Sequence, residues 1–448
     1  MRHEILGMKS NQMNFATRAL GTFGTHVLGF MLGTISSVII ARSLGPEGKG
    51  ILALVMLIPT ILVTLSNLGI APSNNYHSAS GKYEMSTLVG NSFVLAGVVG
   101  VLVSVVFVLF WHFSPFNFFP EVSPLYIYVI LAVVPFSLLD SYLQGILLGK
   151  LKIGQVNLIA ILGKLVNLLG LAVILLALNR GILSLILLTI FVRLITSLSF
   201  IVMIRRMTKY SLHFEPEVFK GTIGYGIKSH VANMSTFLHY RADQLMIGYF
   251  LGITPLGYYA VAVPIVELLF FIPRAINMVL FPEVAGSTPE KSAELATMVS
   301  RYTVLVSLLL CLVIVGTAQF IVMVLYGEQF LPSVIPLLIL LPGTFFYAIC
   351  NAASSYIAGT GKVIFNTYGS LGGLTANIVS NLVLIPTLGI TGAALACTIS
   401  YSLESIYTAL VFLILSRKNF SETFIPRWCD FINVCKLIYK ILWNRLQI

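Results

Sequence analysis

The chain has 448 residues, of which 57% are hydrophobic and only 10% charged, and its mean hydropathy is +0.95. Soluble domains carry about 25% charged residues, so this composition excludes one and requires lipid as the solvent. The formal net charge of +11 suits a nucleic-acid binder. The basic residues, however, punctuate apolar runs and form no continuous patch, so no nucleic-acid partner is expected.

In chain order, twelve runs are long enough for the ~20 apolar residues that a membrane-spanning helix needs. They lie near 14–40, 51–75, 87–112, 124–148, 157–178, 182–204, 227–251, 256–282, 297–325, 333–357, 364–386 and 389–416. The first run is too long for a signal-peptide core and lacks a small-residue cleavage pattern, so it is expected to be retained. With the N-terminus in the cytoplasm, the inner segments hold nineteen of the 27 Lys and Arg residues. The outer loops hold only Arg42, Lys49 and Arg180. The positive-inside rule therefore predicts both termini in the cytoplasm. The predicted fold class is an all-α polytopic integral membrane protein of about twelve transmembrane helices in two parallel six-helix lobes.

The hydrophilic stretch after Arg205 separates the two sets of six. The expected organisation is an N-terminal lobe at 1–204, a cytoplasmic inter-lobe loop at 205–226, a C-terminal lobe at 227–416 and a basic amphipathic cytoplasmic tail at 417–448. Cys311, Cys350 and Cys397 fall inside runs, and the tail pair Cys429 and Cys435 has no further ligand cluster. Neither a disulfide framework nor a metal site is expected.

An internal repeat supports the two lobes. Leu44, Gly45, Gly50 and Ala53 recur 207 residues later as Leu251, Gly252, Gly257 and Ala260. Gly149, Lys152, Gly163 and Asn167 recur at an offset of 210 as Gly359, Lys362, Gly373 and Asn377. Six spans return the chain to its starting side, so the halves are parallel and related by an axis along the membrane normal, as in transporters.

Ionisable residues inside spans cost ~2.5–3.5 kcal/mol each on insertion scales and mark cavities or partners. The runs contain Arg18, Lys164, Arg193, Arg241 and Arg274, with Asp140, Asp243, Glu267 and Glu404. Glu267 and Arg274 are seven apart and share a helix face. His239 and Asp243, at i and i+4, are placed to touch, while Arg241 points away from Asp243. Arg18, Lys164 and Arg274 sit near the cytoplasmic ends, where snorkelling competes with a cavity role. Arg193, Arg241, Glu267 and Glu404 lie nearer mid-membrane, where a cavity role is favoured over a structural ion pair. His26 and His239 fit satisfied bundle residues better than proton carriers. The stripes bearing Asn157 and Asn167, and Asn366, Ser370, Asn377 and Asn381, fit either a hydrated chamber or interhelical hydrogen bonding. The charges do not repeat: at offset 207 Arg241 matches Thr34 and Asp243 matches Ser36, while at 210 Lys164 matches Leu374.

The stretch Ile39-Ile40-Ala41-Arg42-Ser43-Leu44-Gly45-Pro46-Glu47-Gly48-Lys49-Gly50, with Asn67-Leu68-Gly69-Ile70, resembles the opening of bacterial polysaccharide-biosynthesis membrane proteins. These are the Wzx-type lipid-linked oligosaccharide flippases of the multidrug/oligosaccharidyl-lipid/polysaccharide exporter (MOP) superfamily. Arg241 to Gly252, followed by Leu256-Gly257-Tyr258-Tyr259-Ala260, is similar to that family's seventh-span signature. The resemblance implies MATE-like lobes around a V-shaped chamber that opens alternately to each side of a cell inner membrane. It implies a polyprenyl-diphosphate-linked oligosaccharide as substrate, with no enzymatic activity and no cofactor. On that basis Arg241, Arg274, Arg193, Lys164 and Arg18 are the diphosphate-binding candidates, since Arg offers a permanently charged fork to phosphate. Glu267, Asp243, Glu404 and Asp140 are candidates for a coupling ion or proton, and Asn167, Asn377 and Asn381 for sugar contacts. Expected partners are membrane lipids and the polysaccharide polymerase and chain-length machinery, with the protein itself a monomer. A cation-coupled drug exporter of the same superfamily is the main alternative, but five basic residues in the spans face four acids. A membrane glycosyltransferase or polymerase would need larger outer loops. A major-facilitator transporter would need a basic Gly-Asp-Arg-type loop that residues 76–86 lack.

Overall fold

The computed structural model describes residues 2–432 except 115–117, 211, 272, 274–279, 281, 282 and 285, and gives the backbone alone for 2–20 and 228. Among the described residues every regular element is helical. The first half contains α1 (Arg2–Ser66), α2 (Ile70–Ser80), α3 (Met85–Phe113), α4 (Pro124–Ile130), α5 (Val133–Gly149), α6 (Ile153–Ala172) and α7 (Ile182–Arg205). Next come α8 (Pro216–Leu251), α9 (Ile253–Val266), α10 (Pro289–Tyr326), α11 (Val334–Ile349), α12 (Asn351–Gly359), α13 (Val363–Leu388), α14 (Ile390–Ser416) and the short α15 (Phe420–Phe424).

Ten described segments are long and apolar enough to cross a membrane, which makes this a multi-pass membrane protein. One of the ten, Gly21–Ser66, takes in parts of the first two expected runs. Instead of an outer loop between them, α1 runs on through a kink at Gly45, whose φ of 68° and ψ of −173° interrupt the helix. Pro46 follows directly; its fixed φ suits a first helical position, so the second arm restarts without a loop. The structure also shortens the expected 205–226 loop, because α8 begins at Pro216. Proline at the helix start and Glu217 in the first turn suit the positive end of the helix dipole, and composition alone hides that start. α8 carries the seventh run and is not among the ten; it includes the buried polar side chains His230, His239, Asp243 and Gln244.

The chain divides into two compact units. One comprises 1–237 with 252–257, the other 238–251 with 258–448. In the first, α5 is the central helix, packed against α2, α3 and α7, with ten buried residues including Leu138, Tyr142, Leu143 and Ile146. Glycines let backbones approach: a Cβ at Gly145 would meet the Ala71 carbonyl, and one at Gly149 that of Asn75. α6 lies along α1, with Asn157 donating to Thr22 Oγ1 (3.2 Å) and Lys164 to the Gly29 carbonyl (3.0 Å). Both partners shift by seven residues, two helical turns, so the two helices run in the same direction. The outward face of α3, from Val98 to Phe113, is exposed and apolar, as lipid requires.

The 207-residue repeat becomes a contact. A Cβ on Gly50 would run into the Ile253 carbonyl, and a Cβ on Gly257 into the Pro46 carbonyl. Because 253 is 46 plus 207 and 257 is 50 plus 207, each copy presents the same glycine to the same carbonyl of the other. The 210-residue echo is a repeated helix end. Lys152 N bonds the Leu147 carbonyl (3.0 Å) and Lys362 N the Ile357 carbonyl (3.1 Å), with Leu151 (φ 56°) and Gly361 (φ 81°) left-handed between them.

In the second unit α14 is central, packed on α13, α11 and α12 through small residues that include Ala393, Ala394, Ala396 and Cys397. The tail follows α14 from Arg417 onward. It forms α15, breaks around Pro426, and turns helical again from Trp428 to Ile432; residues 433–448 lie outside the described residues. Phe424 packs with Val304, Ile349 and Cys350, while Arg301 Nε donates to Asp430 Oδ2 (2.6 Å) and its Nη1 to the Glu422 carbonyl (2.7 Å). Burial pushes the Asp430 carboxyl up, but the Arg427 amide (2.9 Å) and the charges of Arg301 and Arg427 outweigh it and hold Asp430 below its ordinary carboxylate value.

Candidate substrate site

The first unit contains a cavity of about 440 Å³. α6 contributes Lys164 and Asn167, α7 contributes Thr196 and Arg193, and α5 contributes Asp140 and Gln144. Spacing explains the grouping, since Lys164 and Asn167 stand at i and i+3 and Arg193 and Thr196 do the same, each pair on one helix face. Gly163 leaves room beside Thr196, whose Oγ1 would lie 3.2 Å from an added Cβ. Arg193 lies 3.6 Å from Asp140 Oδ2 and keeps nearly half its side chain exposed, so its guanidinium has capacity to spare. Asp140 is buried and accepts a 2.5 Å hydrogen bond from Ser197 on its other oxygen. Among the described residues, Lys164 has a carbonyl partner and no carboxylate. The structure thus gathers four of the expected residues, Lys164, Arg193, Asn167 and Asp140, around one volume.

The second unit treats its candidates differently. Arg241 Nη1 lies 3.0 Å from Glu267 Oε1, forming an ion pair between α8 and the turn after α9. Asp243 is buried, accepting from Tyr259 OH (2.5 Å), Cys397 Sγ (3.2 Å) and the Gln244 amide (2.8 Å). His239 pairs with Glu404 at 2.9 Å and with Ser400 at 2.9 Å rather than with Asp243, despite the i, i+4 spacing. Asn377 and Asn381 are fully buried between α13 and α14, where Asn381 bonds Asn377 (2.9 Å) and Asn377 bonds Ser400 (3.3 Å). In this conformation they offer no surface to a sugar. Arg274 and the Arg18 side chain lie outside the described residues. Sequence reasoning missed Ser197, Tyr259, Cys397 and Ser400, which are small or neutral and give no charge signal inside an apolar run. No cluster of three or more metal-ligating side chains occurs among the described residues.

Residues 39–335 match the family described as polysaccharide biosynthesis protein. An uncharacterized membrane protein of Methanocaldococcus jannaschii is 23% identical over 208 residues, 45% of this chain; the match spans about two fifths (41%) of that relative's length. Among solved structures, an inward-facing multidrug resistance MATE family transporter of the MOP superfamily superposes with a TM-score of 0.71 at 16% identity. The match covers 87% of this chain and 96% of that one. The lipid II flippase MurJ in an inward closed conformation gives 0.70 at 13% identity, over 97% and 100%. A MOP superfamily transporter from Pyrococcus furiosus, described by a binding pocket of reversed polarity, gives 0.61 at 16%, over 90% and 96%. Together these place the chain in the polysaccharide biosynthesis protein family, a multi-pass membrane protein with the fold of MOP superfamily transporters.

Proposed function

We propose that this protein is a transporter that flips a polyprenyl-diphosphate-linked oligosaccharide from the inner to the outer leaflet of the cell membrane by alternating access. The observation that carries the reading is the 440 Å³ cavity with Lys164 and Arg193 on its wall. Its volume falls within the ~300–1,000 Å³ of ligand pockets. A diphosphate cannot enter hydrocarbon unaided, and one ammonium plus one half-exposed guanidinium supply point-charge and forked recognition of its oxygens. Asn167, Gln144 and Thr196 supply the hydrogen-bonding groups that a first sugar needs. Arg241, paired with Glu267 in the second unit, and Arg274 and Arg18 are further cationic candidates for the diphosphate. Twelve spans in two parallel six-helix lobes, both termini cytoplasmic, a monomeric protein and a polysaccharide polymerase as partner complete the proposal. The family assignment and the likeness to the flippase fold support it.

The test uses purified protein in liposomes and a fluorescent polyprenyl-diphosphate sugar, with reduction of outer-leaflet label as the readout. Lys164→Ala and Arg193→Ala should each slow flipping about tenfold or more, the scale of losing a charge-assisted hydrogen bond of 1.5–3 kcal/mol. Unchanged rates in both, with protein still monodisperse, remove the diphosphate site. The drug-exporter reading draws on the acids of the second unit, Asp243, Glu267 and Glu404. It predicts drug accumulation in cells lacking the protein, whereas flipping predicts build-up of lipid-linked sugar inside.

A further inference from the structure

The start of α8 is fastened to α2 and α3 by contacts that the proposed flipping does not use. Asn91 on α3 grips the Glu215 backbone twice, Oδ1 accepting from its amide (2.7 Å) and Nδ2 donating to its carbonyl (3.0 Å). Phe93 stacks on Tyr210 just before that point, with centroids 5.3 Å apart. Gly69 and Gly226 then meet backbone to backbone, since an added Cβ on either would run into the carbonyl of the other. Beside them Tyr76 of α2 stacks on Tyr225 of α8 at 4.3 Å, with planes 10° from parallel. Residues of α8 up to 237 group with the first unit and 238–251 with the second. These contacts therefore tie down one end of a helix whose other end belongs elsewhere.

His77 sits at the centre of this contact. It is 2% exposed, and neither ring nitrogen has a hydrogen-bond partner among the described residues. Its ring meets Tyr83 at 4.9 Å and Tyr76 at 5.2 Å, both edge-on, and Tyr225 at 5.8 Å. A Cβ on Gly221 of α8 would run into the Tyr83 hydroxyl, so α8 lies directly over the cluster. From the other side α5 contributes the Tyr142 and Ile146 carbonyls, which hold Asn74 and Ser78 on either side of His77 in the chain. The charge acting on the imidazole is that of Lys82, which lies over the Tyr83 ring at 5.3 Å. No carboxylate pairs with His77 among the described residues. A neutral imidazole fits among these phenols, whereas an imidazolium would be a buried charge without an acceptor, near a like charge. Burial accordingly holds His77 below its ordinary value, outweighing the Gly221 backbone, and Lys82 works in the same direction as burial.

We propose that the contact between α2 and the start of α8 is a latch that protonation of His77 releases, a regulatory site on the cytoplasmic face. The imidazolium gains water and acceptors only when Tyr225 and Gly221 lift off α2, and the start of α8 is then free to follow residues 238–251. The proton enters from and returns to one side, so none is carried across the membrane. The choice of face rests on the topology proposed above, whereas the latch does not. A released His77 binds more protons than a latched one. The latch is therefore at full strength above the ordinary imidazole value of 6.5 and weakens as pH falls below it.

The experiment measures the distance between spin labels at Ser80→Cys and Gly224→Cys in the full chain, with Cys311, Cys429 and Cys435 replaced by Ser. Ser80 is exposed, and a Cβ at Gly224 meets nothing within 4 Å, so both labels stand clear of the ring cluster. The protein sits in vesicles of phosphatidylethanolamine and phosphatidylglycerol with no substrate, so a failure of the flipping reading leaves the result intact. Wild type should give one short distance above pH 6.5 and a second, longer one below it. The ratio of long to short should rise by up to about tenfold per pH unit, as a single proton dictates. His77→Phe and His77→Gln should each remove that dependence, and Tyr225→Ala should populate the longer distance even above pH 6.5. A wild-type distance indifferent to pH overturns the proposal. So does a pH response that survives both His77 substitutions, or a short distance alone in Tyr225→Ala. Acidifying one face at a time assigns the side: a response confined to the outer face keeps the latch and overturns the proposed topology instead.

Discussion

Leu151 and Gly361 occupy the same place in two copies of one helix end, yet only glycine adopts that backbone without strain. The left-handed region costs a non-glycine residue roughly 1–2 kcal/mol. Leu151 is 61% exposed and loses little packing on truncation. Leu151→Gly is therefore expected to stabilise the protein by about 1 kcal/mol once glycine's extra chain entropy is deducted. Gly361→Leu should destabilise it by a similar amount, since an added Cβ meets nothing within 4 Å and backbone strain alone acts. Thermal unfolding of both variants in detergent reads the signs. At this scale the sequence announced which residues are charged and left their partners hidden. Arg241 and Glu267 lie 26 positions apart, and His239 and Glu404 lie 165 apart. Helical spacing ranks neighbours on one helix, so it favoured His239 with Asp243, while packing joined both to α14 and Asp243 also to α9. Tyr259, Cys397 and Ser400 escaped because a hydroxyl or thiol in an apolar run carries no hydropathy signal.

Among the elements, α1 and α9 meet through the two repeated turns, and the added Cβ of an alanine runs first into a backbone carbonyl at each position. Gly50→Ala and Gly257→Ala should each cost about 2 kcal/mol, the scale of overpacking a tight contact. Gly33→Ala, with nothing within 4 Å of its Cβ, should be neutral and serves as control. A melting temperature unmoved by the first two substitutions would contradict the contact. Helix cores were legible because a run of ~20 apolar residues has few other fates. Their ends were less so. The kink at Gly45 and the early start of α8 at Pro216 depend on single residues that window-averaged hydropathy smooths away. The tail offers a pH test. Asp430 is held low by the Arg427 amide and by Arg301, so the docked tail binds fewer protons than the free one, and docking is at full strength above the ordinary carboxylate value of 3.8. It weakens only as pH falls below that value. Trp428 fluorescence, in a chain with Trp111 and Trp443 replaced by Phe, should change only in that acid range. Asp430→Asn should reproduce the change at neutral pH, and an unaltered signal in that variant would dismiss the clamp.

For the whole molecule, charge asymmetry predicts a cytoplasmic C-terminus. Cys429 is exposed, and the other described cysteines are buried or half-buried. A membrane-impermeant maleimide should reach Cys429 in a Cys435→Ser chain only after the cells are permeabilised; labelling of intact cells would invert the topology. The class of protein was legible from composition, and the duplication from two glycine patterns, because both are properties of the chain taken at length. Which half holds a cation-lined cavity and which an acid network was not legible, since that depends on side chains far apart in sequence. The reciprocal contact of Gly50 with the Ile253 carbonyl and Gly257 with the Pro46 carbonyl has the form of an isologous interface, in which one patch meets its own copy. A parallel homodimer whose two genes fused would keep such a contact, here inside one compact unit. Two polypeptides divided at residue 210 should then co-purify, and recovery of either alone would count against that ancestry. In a homodimer every charge must appear twice. Fusion lifts that restriction, and Lys164 facing a cavity in one half while Leu374 takes its place in the other is the freedom it confers.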